Sequence, residues 1–193
     1  MSVTLAKGGN VSLSKEAPGL TAVSVGLGWQ ARTTTGADYD LDASALLCGA
    51  SGKVLSDRHF VFFNNLASPD GSVQHTGDEL VGGTGAGDDE TIHVDLTQVP
   101  AEVARIVFPV SIYEAESRGQ TFGQVRDAYI RVADRADGRE LARYDLTEDA
   151  STETAMIFGE LYRRGGEWKF RAVGQGYASG LRGIALDFGV NVS

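Results

Sequence analysis

A single cysteine in 193 residues, Cys48, leaves no partner for an internal disulfide, so no such bridge staples this chain. That thiol follows Ala45-Leu46-Leu47 and reads as a small buried hydrophobe rather than a nucleophile or redox centre. No apolar run is long enough to cross a bilayer. The first residues, Met1 to Gly9, lack the apolar stretch and small-residue cleavage site of a secretory signal, so the expected location is the cytoplasm. Basic residues are also in short supply. The 17 Lys and Arg face 26 Asp and Glu for a net charge of -9, which argues against unaided binding to nucleic acid or an anionic membrane. The three histidines, His59, His75 and His93, are too scattered for a zinc site. No GxxxxGK[ST] or GxSxG occurs, which removes the phosphate loop and the nucleophile elbow. Without repeat, low-complexity tract or linker, residues 1–193 are expected to form one domain.

What the chain does have is short alternating runs. Val23, Val25, Leu27 and Trp29 alternate with Ala22, Ser24, Gly26 and Gly28, the period of a strand with one buried face and close packing on the other. Further runs at 59–63, 91–96, 105–114, 128–133, 140–145, 155–161 and 168–173 predict strands. Pro109 hints at an edge or a bulge, and the turns 136–139 and 164–167 carry hairpin signals. A short helical turn is expected over 97–103 and a short helix over 179–188. The sum is all-β: a sandwich of two antiparallel sheets with long acidic loops at one end and a few short helices.

The charge is concentrated. Between Asp38 and Glu90, ten Asp and Glu face only Lys53 and Arg58, so this quarter of the chain holds -8 of the -9. Tyr39, Leu41, Ala43, Ala45 and Leu47 share one strand face, so Asp38, Asp40, Asp42 and Ser44 project from the other. The stretch 64–89 is too long and too rich in Gly and Asp for an ordinary connection of about 4–6 residues, and it is expected to fold back over the triplet. Carboxylates about 5 Å apart repel by roughly 3 kcal/mol at an effective dielectric near 20. A hard cation offsets this, and ligands that are all carboxylate, amide and carbonyl oxygens point to calcium. An EF-hand is excluded, because Ala43 stands where its loop needs Gly and Gly49 where it needs Glu.

Several segments carry a family resemblance: Asp38-Tyr-Asp-Leu-Asp-Ala-Ser44, Phe60-Val-Phe-Phe-Asn-Asn65, Ser68-Pro-Asp-Gly-Ser72, His75-Thr-Gly-Asp78, Gly87-Asp-Asp-Glu90 and the run Asp149 to Tyr162. Over essentially its whole length the chain resembles the TerD family of tellurium-resistance and stress proteins. The resemblance implies a cytoplasmic β-sandwich that binds two calcium ions, with a stress role and a protein partner that includes an integral-membrane component of the same resistance system. Carried over by residue, the implied metal ligands are Asp38, Asp40, Asp42, Asn64, Asn65, Asp70, Asp78, Asp88, Asp89 and Glu90, with the Gly71 carbonyl and, more weakly, Ser72. Glu79, where the family often has Asn, adds a further carboxylate. Gln30, where Asp is common, takes the Trp29 end out of the ligand set. The favoured reading is a non-enzymatic calcium protein whose loaded loop forms a regulatory or partner surface. The alternative is a metal-assisted hydrolase or phosphoryl-transfer enzyme using the same acids. His75 is placed to orient a carboxylate and His93 reads as a surface histidine.

Overall fold

Val23, Val25, Leu27 and Trp29 are all buried in the computed structural model, and the strand they form, β3 (Ala22–Ala31), lies in the middle of a sheet. The structure describes residues 2–31, 41–76, 90–112, 119, 121–122, 125–146 and 153–191. The other strands among them are β1 (Val3–Leu5), β2 (Asn10–Ser12), β4 (Leu41–Ala43), β5 (Ala45–Cys48), β6 (Phe60–Val61), β7 (Val73–His75), β8 (Glu90–Asp95), β9 (Arg105–Ile112), β10 (Val125–Asp134), β11 (Glu140–Asp145), β12 (Ala155–Arg164) and β13 (Glu167–Tyr177). Two short helices complete the set, α1 (Leu13–Glu16) and α2 (Gly180–Asp187). One sheet runs β1-β11-β10-β3-β8-β7 and the other β2-β13-β12-β9-β5-β6, with β4 also paired to β9.

The inner faces of the two sheets meet in one core. Val25, Ile92 and Ile130 from the first sheet join Leu47, Phe108, Leu161 and Phe170 from the second. A second apolar cluster covers part of the outer face of the second sheet, where Ile184 and Ala185 of α2 pack over Leu46, Val107 and Ile157. On the outer face of the first sheet the small residues of β3 are used as their pattern predicts. A Cβ on Gly28 would lie 2.2 Å from the ring of Tyr129, its registered neighbour on β10. The β12–β13 hairpin turns through Gly165 and Gly166, whose φ of 59° and 78° suit glycine and match the tight two-residue turn.

Four expectations need correction. Pro109 is not at an edge, because β9 is flanked by β12 and by β4 and β5. The bulge it hinted at lies on the neighbouring strand, where the register slips between Ile157 and Gly159 opposite Pro109 and Phe108. The stretch 64–89 is not one long loop: Val73–His75 forms β7 against β8. The sheets are antiparallel except for β1, which pairs parallel with β11, and the N-terminal strands were not signalled by alternation because they have only three residues each. Finally, 97–103 forms successive turns rather than a helix, with Gln98 N–H donating to Asp95 and Val103 N–H to Pro100.

The registers also fix which strand ends are neighbours. Ala31 pairs with Val125, Leu41 with Ile112, Ser111 with Ala155, and Ala155 with Tyr177, while His75 lies opposite Ile92 near the start of β8. The flanks of the acidic segments 32–40 and 77–89 therefore emerge at the same end of the sandwich.

Candidate metal centre

At that end Leu41, Ala43, Ala45 and Leu47 face the inter-sheet core, so Asp42 and Ser44 take the other face, as the alternation requires. β4 has β9 on one edge and no strand among the described residues on the other. Glu90, the first residue of β8 in the opposite sheet, supplies what a strand would: its Oε2 accepts the Ala43 N–H. Glu90 is 2% exposed and Asp42, one residue from the shared amide, is 7% exposed. Two nearly buried acidic residues thus stand at this end, Glu90 facing inward from the first sheet and Asp42 facing outward from the second. His75, 5% exposed, pairs with Ile92 and so lies diagonally from Glu90 on the same inward face, a separation of about 7–8 Å. Ser111, also buried, is the registered partner of Asp42 and was not singled out from sequence.

The remaining candidates divide. Asp38, Asp40, Asp78, Glu79, Asp88 and Asp89 lie outside the described residues, as does the fold-back of that segment over the triplet. Asn65 is committed to a turn: its Nδ2 donates to the carbonyls of Arg58 at 3.1 Å and Phe60 at 2.8 Å, and its backbone closes a tight hairpin with Phe62. Asn64 sits exposed at the tip of that hairpin. Extending the Ala45–Val61 register brings the tip level with Ala43, at the acidic end. Among the described residues no three His, Cys, Asp or Glu converge as a metal-holding group.

Asp70 does not join Asp42 and Glu90. Ser72, two residues on, accepts from Asp95 N–H, so this turn sits at the far end of β8, about 17 Å from Glu90 at the usual rise per residue. Its Oδ1 accepts from Ser72 N–H at 2.8 Å, Ser68 Oγ at 3.0 Å and Ser72 Oγ, while its Oδ2 is buried without a hydrogen-bond partner. Gly71 likewise serves the turn, its N–H donating to Ser68 at 2.9 Å. Burial raises the Asp70 pKa, but the bonds from Ser72 and Ser68 outweigh it and the value falls below its ordinary 3.8. A group depressed on folding stabilises the fold above its unfolded pKa and loses that contribution as pH falls through the folded value. Asp70→Asn is expected to cost about 1–3 kcal/mol near pH 7. Urea unfolding checks this, and the difference from the parent should shrink below pH 3.8.

The other reactive groups are accounted for. Burial pushes the Cys48 thiol up to about 12, so it stays protonated and unreactive. His93 is half-buried rather than a plain surface residue. Its Nδ1 lies 2.9 Å from the Oγ of Ser24, its registered partner on β3, and burial together with the Arg135 charge lowers its pKa.

The donors at the acidic end are hard oxygens without a thiolate, and two of them are withdrawn from water at the roots of segments that contribute six more acids. That set suits a hard divalent cation. Fold and site together define a class: a two-sheet β-sandwich with the flanks of its acidic segments at one end. Within that class the chain belongs to the TerD family, whose domain model matches residues 1–188. It is 60% identical to the tellurium resistance protein TerD of Serratia marcescens and 50% identical to general stress protein 16U of Bacillus subtilis (strain 168), over the full length of each chain. The crystal structure of a homologue of telluride resistance protein (TerD) from Streptomyces coelicolor A3(2) superposes with a TM-score of 0.70 at 27% identity, covering 86% of this chain and 96% of that one. Among the described residues no helix is long and apolar enough to cross a membrane.

Proposed function

We propose that the acidic end binds calcium, as two ions, and that the loaded segments form a partner-binding surface in a cytoplasmic stress response. The observation that carries this reading is the burial of Asp42 and Glu90 where the acidic segments 32–40 and 77–89 meet the sandwich. These residues flank segments that carry six further acids, a build-up of negative charge that a divalent cation offsets. Asp38, Asp40, Asp42, Asp78, Glu79, Asp88, Asp89 and Glu90, with Asn64, are the residues proposed to hold the ions. Asp70, Gly71 and Asn65 are left to their turns. The cation supplies charge neutralisation and order, and no water activation is required of it. The partner is a protein surface that reads the ordered segments, in this proposal an integral-membrane component of the same resistance system. Calorimetric titration with calcium tests the reading. Asp42→Asn, Asp40→Ala and Asp88→Ala should each weaken binding by about tenfold or more. Asp137→Ala, whose carboxylate only caps the Arg139 amide of a hairpin, should leave affinity unchanged, and equal affinities across the set would refute the assignment.

A further inference from the structure

The outer face of the second sheet is only partly covered by α2. Beyond the helix, towards the end away from Glu90, lies an open cavity of about 420 Å³ bordered by Asn10, Arg105, Glu160, Tyr162, Arg164 and Arg171. The registers explain how it forms. Asn10, Arg171 and Glu160 stand opposite one another across β2, β13 and β12, and Ser12, Lys169, Tyr162 and Arg105 form the next row. Facing residues share a side of the sheet, and Ile106, Leu161 and Phe170 occupy the inward side. Four cations, Arg105, Arg164, Lys169 and Arg171, therefore share one outward face with Glu160 and Glu167, a local positive balance in a chain whose net charge is -9.

Glu160 forms the floor, 8% exposed. Its contacts to Arg105 Nη1 at 3.5 Å and Arg171 Nη1 at 4.0 Å are long and single, and both arginine side chains remain about half exposed, at 47% and 50%. A guanidinium carries five N–H donors in a planar fork, so most of this capacity is left facing the cavity. The neighbouring Arg163 shows the contrast. It donates to the carbonyls of Val99, Pro100 and Val103 and stacks on Trp168, so it is spent on structure.

We infer that this cavity is an anion site for a small oxyanion group, held in bidentate fashion by Arg105 and Arg171 with Glu160 positioning the two guanidinium groups. Planar forks flanking a polar cavity match the geometry of phosphate and related oxyanions. The inference is independent of calcium, since it uses another face and none of the acidic segments. Two sources share the chemistry, a phosphate group and the tellurium oxyanion suggested by the names of the relatives, so the experiment has two arms. The ¹⁵N-labelled full chain is titrated at constant ionic strength with sodium phosphate and, separately, with sodium tellurite. Saturable shifts at Arg105, Glu160 and Arg171 in at least one arm are expected, and the responding arm identifies the source. Affinity should fall by about tenfold or more in Arg105→Gln/Arg171→Gln and stay unchanged in Arg139→Gln, which removes a cation from a different surface hairpin. No saturable shift in either arm, or equal affinity in the double variant, would overturn the inference.

Discussion

Calcium at a hundredfold excess over its Kd is expected to raise the melting temperature by about 5–10 °C, and Glu90→Gln should remove the calcium-specific part of that rise. The magnitude follows from linkage: a ligand bound only by the folded state adds about 2.7 kcal/mol at that excess. For a chain of this size each kcal/mol moves the melting point by about 2–4 °C. Glutamine separates the two jobs of Glu90. Its amide oxygen can still accept the Ala43 N–H that Oε2 accepts now, so the strand edge stays satisfied. What disappears is a buried negative charge at the start of β8, next to the acidic segment 77–89. In chelator the variant should melt at or slightly above the parent, because a buried carboxylate no longer has to be held away from water. With calcium the order should reverse. Magnesium, which keeps more of its water and makes fewer demands on protein oxygens, should give a smaller shift in the parent. Equal melting points of the parent in calcium, magnesium and chelator would remove the calcium reading, as would a Glu90→Gln protein that keeps the full increment.

Much of this arrangement was legible in the sequence, for physical reasons that differ by element. The alternation of Leu41, Ala43, Ala45 and Leu47 with Asp42 and Ser44 holds in the structure because a strand between two packed layers leaves each side chain only one of two environments. It holds across Pro109 as well: Leu41, Ala43 and Leu46 keep one register on β9, with Ser44 opposite the proline and donating to its carbonyl at 3.0 Å. Of the two readings of the proline, the edge fails and the bulge falls on the neighbouring strand, where the missing N–H is tolerated within a central strand. β7 was hidden because Val73, Gln74 and His75 are too few to display a period.

Asp70 was carried over as a ligand from the family resemblance. The flanking Ser68 and Ser72 carry the competing signal, since a short acidic side chain between hydroxyls closes its own turn. The bond from the Ala43 N–H to Glu90 could not be read, because it joins residues 47 positions apart from different sheets. The basic outer face was overlooked for a related reason. Glu160, Tyr162 and Arg164 alternate plainly with Gly159 and Leu161, but their companions Arg105 and Arg171 join them only through strand pairing.

Gly159→Ala should destabilise the chain by about 1–3 kcal/mol although it adds a single methyl group. The position sits at the β12 bulge, where the extra residue opposite Pro109 and Phe108 shifts the register before pairing resumes. A Cβ there would lie 2.5 Å from Phe170 Cζ, 2.8 Å from Cε1 and 3.0 Å from the Arg171 carbonyl. The carbonyl belongs to the paired strand β13, so that neighbour cannot retreat. The Phe170 ring is fully buried in the core and can yield only by displacing other packed residues. Phe170→Ala removes the ring and is expected to cost about 3–5 kcal/mol through the cavity it leaves. Phe170→Leu should cost less, because it refills part of that volume. The decisive comparison is the double variant Gly159→Ala/Phe170→Leu. If the ring edge is what the methyl meets, shortening it gives the methyl room, and the double variant should be more stable than the sum of the single losses predicts. A coupling of about 0.5–3 kcal/mol is typical of residues in direct contact, and urea unfolding of the four proteins measures it. Strict additivity would mean that the Arg171 backbone, not the ring, rejects the methyl, and that the bulge rather than the aromatic packing is what requires glycine at 159.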